Sequence, residues 1–204
     1  MCNPIGVGAV MVVYYIVVNR KLLLIVHLSY FLLANYVLSL LKQSFQQSRP
    51  IWVNDQIEKW EWFCPKDFGN PSGHSFAVVM LYEPIVSDCI GYGKHRFWTI
   101  FLFVVCVMVP ISRMYLGVHS ANQIFFGLVL GLIFLILYKY VYQRYLYYLY
   151  WGLLMNHRKW QKLTVAVIVH VLSFIVPIVF YRINLSQRPI PAKDIQNLNI
   201  KCGI

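Results

Sequence analysis

Three polar clusters interrupt an otherwise apolar chain. Lys42 is followed by six residues and then Arg49-Pro50; next comes the run Pro71-Ser72-Gly73-His74; last, Ser112-Arg113 is followed by five residues and His119. In the middle cluster Pro71 fixes one backbone angle and Gly73 frees another, which makes a tight turn with amides to offer at Ser72 and Gly73. Two arginines and a lysine supply forked and point-like cations, and together they suit a group with more than one negative charge, such as phosphate. Amides at a turn that opens a helix add donors at its positive end.

Two histidines beside a bound phosphate can divide phosphoryl transfer between them. One attacks phosphorus as a neutral imidazole, and the other protonates the leaving oxygen. The cations stabilise charge that builds on the equatorial oxygens in the transition state. The chemistry calls for no metal and no cofactor, since there is no carboxylate cluster of the kind magnesium prefers. The cysteines (Cys2, Cys64, Cys89, Cys106, Cys202) also lack metal-type spacing. Taken singly, Lys42 is an ordinary charge at a helix end and His74 an ordinary turn residue. The ordered set of clusters carries the signal.

A scaffold must bring residues so far apart in sequence to one place. The chain has 204 residues, of which 59% are hydrophobic and only 12% charged, with a mean hydropathy of +0.60. Long apolar runs separated by short polar clusters, with no polar helix face, predict an all-α fold: a polytopic membrane bundle of about six transmembrane helices. The runs cover residues 5–18, 22–41, 74–87, 97–111, 121–140 and 163–181. The first is short for a span. Residues 1–181 are read as a single membrane domain with its motif core at about 42–131. Residues 182–204, with Pro189 and Pro191, are read as a loosely ordered tail. Gly127 and Gly131 form a small-xxx-small pair suited to helix packing. The tyrosines crowded between Tyr138 and Trp151 predict an aromatic belt or an interfacial helix.

The net charge of +11 does not indicate nucleic acid, because the basic residues sit at the ends of apolar runs and not on one face. They suit a partner that is itself the lipid bilayer. If the helices alternate, Arg20, Lys21, Lys94, Arg96, Lys139, Arg144, Arg158, Lys159 and Lys162 share one side. Lys42, Arg49, Lys59, Lys66 and Arg113 lie on the other, offset by Asp55, Glu58, Glu61 and Asp67. The positive-inside rule makes the first side cytoplasmic and places all three clusters on the lumenal or extracellular face. The membrane is expected to be the endoplasmic reticulum, another endomembrane or the plasma membrane. His27 and His170 read as helix-packing polar residues. Asn184-Leu185-Ser186 is a glycosylation sequon on the expected lumenal tail. The oligomeric state is not readable.

The three clusters, in this order and spacing, resemble the signature motifs of the type 2 phosphatidic acid phosphatase superfamily, whose core is shared with vanadium haloperoxidases. The resemblance covers about residues 42–131. It implies that His119 is the nucleophile that forms a phosphohistidine and His74 the general acid. It implies further that Lys42, Arg49 and Arg113 hold the phosphate, with Ser72 and Gly73 as additional donors. Arg113 thereby also serves the transition state. The family often places Asp four residues after the nucleophile, where it can orient the ring. Here that position is Gln123, as in branches resembling glucose-6-phosphatase and dolichyl-diphosphate phosphatase. An amide oxygen there can fix the tautomer but does not stabilise an imidazolium charge. The expected activity is metal-independent hydrolysis of a lipid phosphate or diphosphate, of phosphatidic acid, sphingoid-base phosphate or polyprenyl diphosphate type. The alternatives are a sugar-phosphate phosphatase and a catalytically silent relative that binds lipid phosphate.

Overall fold

The computed structural model describes residues 21–58, 65–85, 96–155, 159–187 and 189–202. The expected first span, Cys2, Cys64, Cys89, His95 and His157 lie outside them. Among the described residues all regular structure is helical. The long helices follow the apolar runs: α1 spans Lys21–Phe45, and the single turn α2 spans Pro50–Val53 with Pro50 at its first position. Next come α3, Gly73–Ile85, and α4, Arg96–Tyr115. Helix α5, Ala121–Leu137, passes through a π-helical turn at Tyr138–Tyr142 into α6, Gln143–Met155. The Tyr-rich stretch therefore prolongs the preceding span. Helix α7 runs Lys159–Gln187 and α8 runs Ala192–Cys202.

Among the described residues two stretches, Ile25–Val53 and Ala121–Gly152, are long and apolar enough to cross a membrane, and the shorter apolar helix Thr99–Tyr115 accompanies them. Large apolar side chains of α4 and α7 point outward, among them Phe97, Phe101, Phe103, Met108, Leu172, Ile175 and Ile178. Apolar patches of this extent suit a surface bathed in lipid tails. Lipid removes the hydrophobic drive for helices to associate, so close packing has to hold them together.

Helix α3 sits at the centre. Its Phe76, Ala77, Met80 and Leu81 are buried with Val26, Tyr30, Phe31, Ala34 and Leu38 of α1 and with Leu130 and Leu135 of α5. The approach of α3 to α5 is close enough that a β-carbon on Gly127 would stand 2.5 Å from the carbonyl oxygen of Ser72. One on Gly131 would stand 3.0 Å from that of Phe76. The expected small-residue seam is present, and it seats the turn before α3 directly against the start of α5.

At the far end of the bundle Tyr30 donates to the Phe134 carbonyl at 2.9 Å, and Tyr150 donates to Ser29 at 2.6 Å. His27 is buried with its ring edge-on to Tyr138, the centroids 5.0 Å apart; as expected, it packs helices.

The tail departs from the sequence reading. The sequon residue Asn184 lies inside α7, its side-chain amide bonded to the Phe180 carbonyl at 2.9 Å. Residues 192–202 form a helix docked on α2. Lys201 Nζ donates to the carbonyls of Ile51, Asn54 and Ile57 at 3.1, 2.6 and 3.1 Å, and Asn197 donates to that of Trp52 at 2.9 Å. Ile190 and Leu198 pack on the cluster of Ile51, Trp52 and Phe68. The side chains of α8 are mostly polar, so its apolar contacts are too sparse to register as a periodic signal. Its anchoring comes instead from carbonyls left open where α2 ends.

Candidate active site

The ends of five helices meet at one cavity of about 370 Å³, whose wall includes Lys42, Arg49, Asp67, Gly73, His74, Arg113 and His119. Lys42 is in the last turn of α1, Gly73 and His74 open α3, Arg113 is in the last turn of α4, and His119 precedes α5. Leu38, Pro65, Phe68, Val118, Tyr181 and Ile190 make the apolar part of the wall. The structure thus brings together six of the eight residues expected from sequence as direct wall members. The other two, Ser72 and Gln123, support the wall from behind.

The loop carrying His119 is tied at both ends. The amides of Val118 and His119 donate to the Arg113 carbonyl at 3.3 and 3.4 Å, and the Gly117 carbonyl accepts from Ile51 N at 3.0 Å. Gly117 takes φ +64°, a left-handed value that glycine accepts readily. His119 is 3% exposed. Its Nε2 lies 2.9 Å from Arg49 Nη1, and its Nδ1 lies 3.3 Å from Gln123 Oε1. An arginine can only donate, so Nε2 must carry the lone pair and Nδ1 the proton. The orientation of Gln123 agrees, because Oε1 also accepts from Ser120 N at 3.2 Å while Nε2 donates to the Ser48 carbonyl at 3.1 Å. Burial first, then the charges of Arg49 and Lys42, push the imidazole pKa down to about 3. His119 is therefore a neutral ring on the cavity wall, its Nε2 lone pair accepting from Arg49.

Ser72 has a different post from the one expected. It is fully buried, its amide donates to the Gln123 carbonyl at 3.0 Å, and its hydroxyl accepts from Ser75 Oγ at 3.0 Å. Its amide is therefore committed to α5, and its hydroxyl oxygen lies 3.5 Å from Ser75 N as a weak cap of α3. Ser72 thus fixes the helix whose positive end, with Gly73 and His74, faces the cavity. Gly69 has a related role: a β-carbon there would stand 2.6 Å from Gln123 Oε1, so only glycine leaves the amide room.

Asp67 is a site residue that the sequence reading counted only as a loop charge. Its Oδ2 takes Lys42 Nζ at 2.5 Å and its Oδ1 takes Arg49 Nη2 at 2.7 Å. Burial raises its pKa, but Arg49 and Lys42 more than offset this and hold the carboxyl well below the usual carboxylate range. Arg49 is bonded at every nitrogen. Nε donates to the Asp67 carbonyl at 2.7 Å, Nη1 to the Val118 carbonyl at 3.0 Å and to His119, and Nη2 to Asp67 and the Phe68 carbonyl. One signal was available in the sequence: Asp67 is the acid nearest the Pro71-Ser72-Gly73-His74 turn.

The chain belongs to the PAP2 superfamily, whose family model matches residues 23–147. Over 77 residues it is 36% identical to phosphatidylglycerophosphatase B of Bacillus subtilis (strain 168), a match covering 35% of this chain and 38% of that protein. The chain thus spans well under half the length of that relative. No solved structure matches.

Proposed function

We propose that the protein is a metal-independent membrane phosphatase that removes phosphate from a lipid phosphate. The observation that carries this reading is the buried neutral His119, its Nε2 lone pair held by Arg49 on the wall of a cavity where Lys42, Arg113 and His74 also meet. Phosphate entering the cavity takes over hydrogen bonds from Arg49, which frees Nε2. In the first step His119 Nε2 forms a bond to phosphorus as the bond to the lipid oxygen breaks, and His74 gives that oxygen its proton. In the second, His74 takes a proton from water, the water oxygen bonds to phosphorus, and the phosphohistidine bond breaks. The charges on the substrate favour the protonated form of His74 that the first step needs.

Lipid is favoured over a soluble ester by the apolar part of the wall and by the outward-facing apolar helices around it. Lys21, Arg96 and Lys159 stand at the starts of helices whose other ends face the cavity, while Lys139 and Arg144 follow α5 away from it. That asymmetry supports a site on the lumenal or extracellular face.

The test is phosphate release by the detergent-purified protein in EDTA from phosphatidic acid, sphingosine phosphate, a polyprenyl diphosphate and glucose 6-phosphate. Release from a lipid, lost in His119→Ala, is the expected result. Release from the sugar phosphate alone, or from none, overturns it.

A further inference from the structure

The carboxylate of Asp67 bridges two of the three cations meant for phosphate, with one oxygen on Lys42 and the other on Arg49. The bridge is built into the site. The Asp67 carbonyl also binds Arg49 Nε, and the carbonyl of Phe68 accepts from both Lys42 Nζ and Arg49 Nη2. Asp67 itself keeps more than a third of its side chain accessible, so an incoming anion can reach the pairs it makes. A carboxylate with two oxygens on two cations has the shape and partners of two phosphate oxygens. Any ligand phosphate must therefore compete with an anion already in place.

That competition depends on charge. A phosphodiester carries one negative charge, so exchanging it for Asp67 on the two cations gains no net ion pairing. A phosphomonoester carries close to two at neutral pH, and the exchange gains about one. A site opening on a bilayer is surrounded by phosphodiester headgroups far more numerous than any monoester. From these contacts we propose that Asp67 is a specificity-determining residue, a resident anion that keeps phosphodiester lipids out of the site and yields to phosphomonoester lipids. The inference rests on reading the cavity as a phosphate site and narrows the substrate to the monoester class.

The test uses the detergent-purified full chain and two non-hydrolysable ligands, a phosphonate analogue of phosphatidic acid and its monomethyl ester. They differ by one methyl group and one charge. Calorimetric Kd values are compared for wild type, Asp67→Asn and Asp67→Glu. The wild type is expected to prefer the dianion, and Asp67→Asn to shrink that preference by about tenfold, mainly by tightening the ester. Asp67→Glu restores the charge and keeps the wild-type ratio, which loss of a merely structural contact would not explain. An unchanged ratio in Asp67→Asn overturns the proposal. If neither ligand binds any variant, the phosphate reading and this inference fall together. If the ratio shifts while no lipid is hydrolysed, the inference stands and the phosphatase reading fails.

Discussion

Gln123 Oε1 lies 3.3 Å from His119 Nδ1, and the other end of the same amide is anchored on the Ser48 carbonyl. The amide is thereby held in one orientation, and it holds the ring in one tautomer. Gln123→Ala removes the acceptor and frees the ring to turn. A hydrogen bond worth about 1–2 kcal/mol predicts a fall in kcat of about five- to thirtyfold with little change in KM. Gln123→Glu keeps the acceptor but loses the donor to Ser48 and places a charge beside the imidazole, so the acid limb of its pH–rate profile should move up. Steady-state kinetics across pH separate the two outcomes.

His74 is assigned to the leaving oxygen, and the assignment predicts dependence on the leaving group. His74→Asn should cost about 10²- to 10⁴-fold with a lipid phosphate, whose leaving alkoxide needs a proton. With p-nitrophenyl phosphate, which departs without one, the loss should be much smaller. Equal losses on both substrates would remove His74 from the role of acid.

Stability should fall on acidification for two reasons of the same sign. His119 has a folded pKa near 3 against an ordinary 6.5, so between these values the unfolded chain binds the extra proton. The stability contributed by the neutral buried ring is complete above about pH 6.5 and is lost as pH falls toward 3. Asp67, also depressed, adds its loss below the ordinary carboxylate range. Melting temperatures in detergent at stepped pH should decline across this window, and His119→Gln should flatten the upper part of the decline.

Gly127 predicts a packing failure. A β-carbon 2.5 Å from the Ser72 carbonyl meets backbone and not a pliable side chain. Gly127→Ala should therefore push α5 from the turn before α3 and lower stability by about 1–3 kcal/mol. Activity should fall as well, because the bond from Ser72 N to the Gln123 carbonyl crosses the same seam. A thermal melt and an activity assay on one preparation check both.

What was legible in the sequence follows from the physics of each feature. That Lys42, Arg49, His74, Arg113 and His119 meet at one cavity was legible because their types and spacing stand out among apolar neighbours. The helices were found because lipid demands long apolar runs, and the ends of α1 and α4 fall within a few residues of the expected limits. Asp67 was missed because an acid in a polar loop looks like any solvated charge until its distance to two cations is known. Ser72 was assigned to phosphate because its turn was legible, whereas its partner on α5 depends on how two helices cross. Helix α8 was missed because its anchors, such as Lys201 on three carbonyls, are polar contacts to backbone with no sequence pattern.

The docking of α8 also ties the finished site to the order of synthesis. Asp194 in its first turn receives a hydrogen bond from Ser48, whose carbonyl holds Gln123, which in turn holds His119. A ribosome delivers Ser48, Gln123 and His119 well before Asp194, so His119 is made early and its support arrives late. Lys42, Arg49 and Arg113 are likewise made before the chain behind His119 is closed. The hydrogen-bonded chain behind His119 is therefore complete only when α7 has been made and α8 has folded back onto α2.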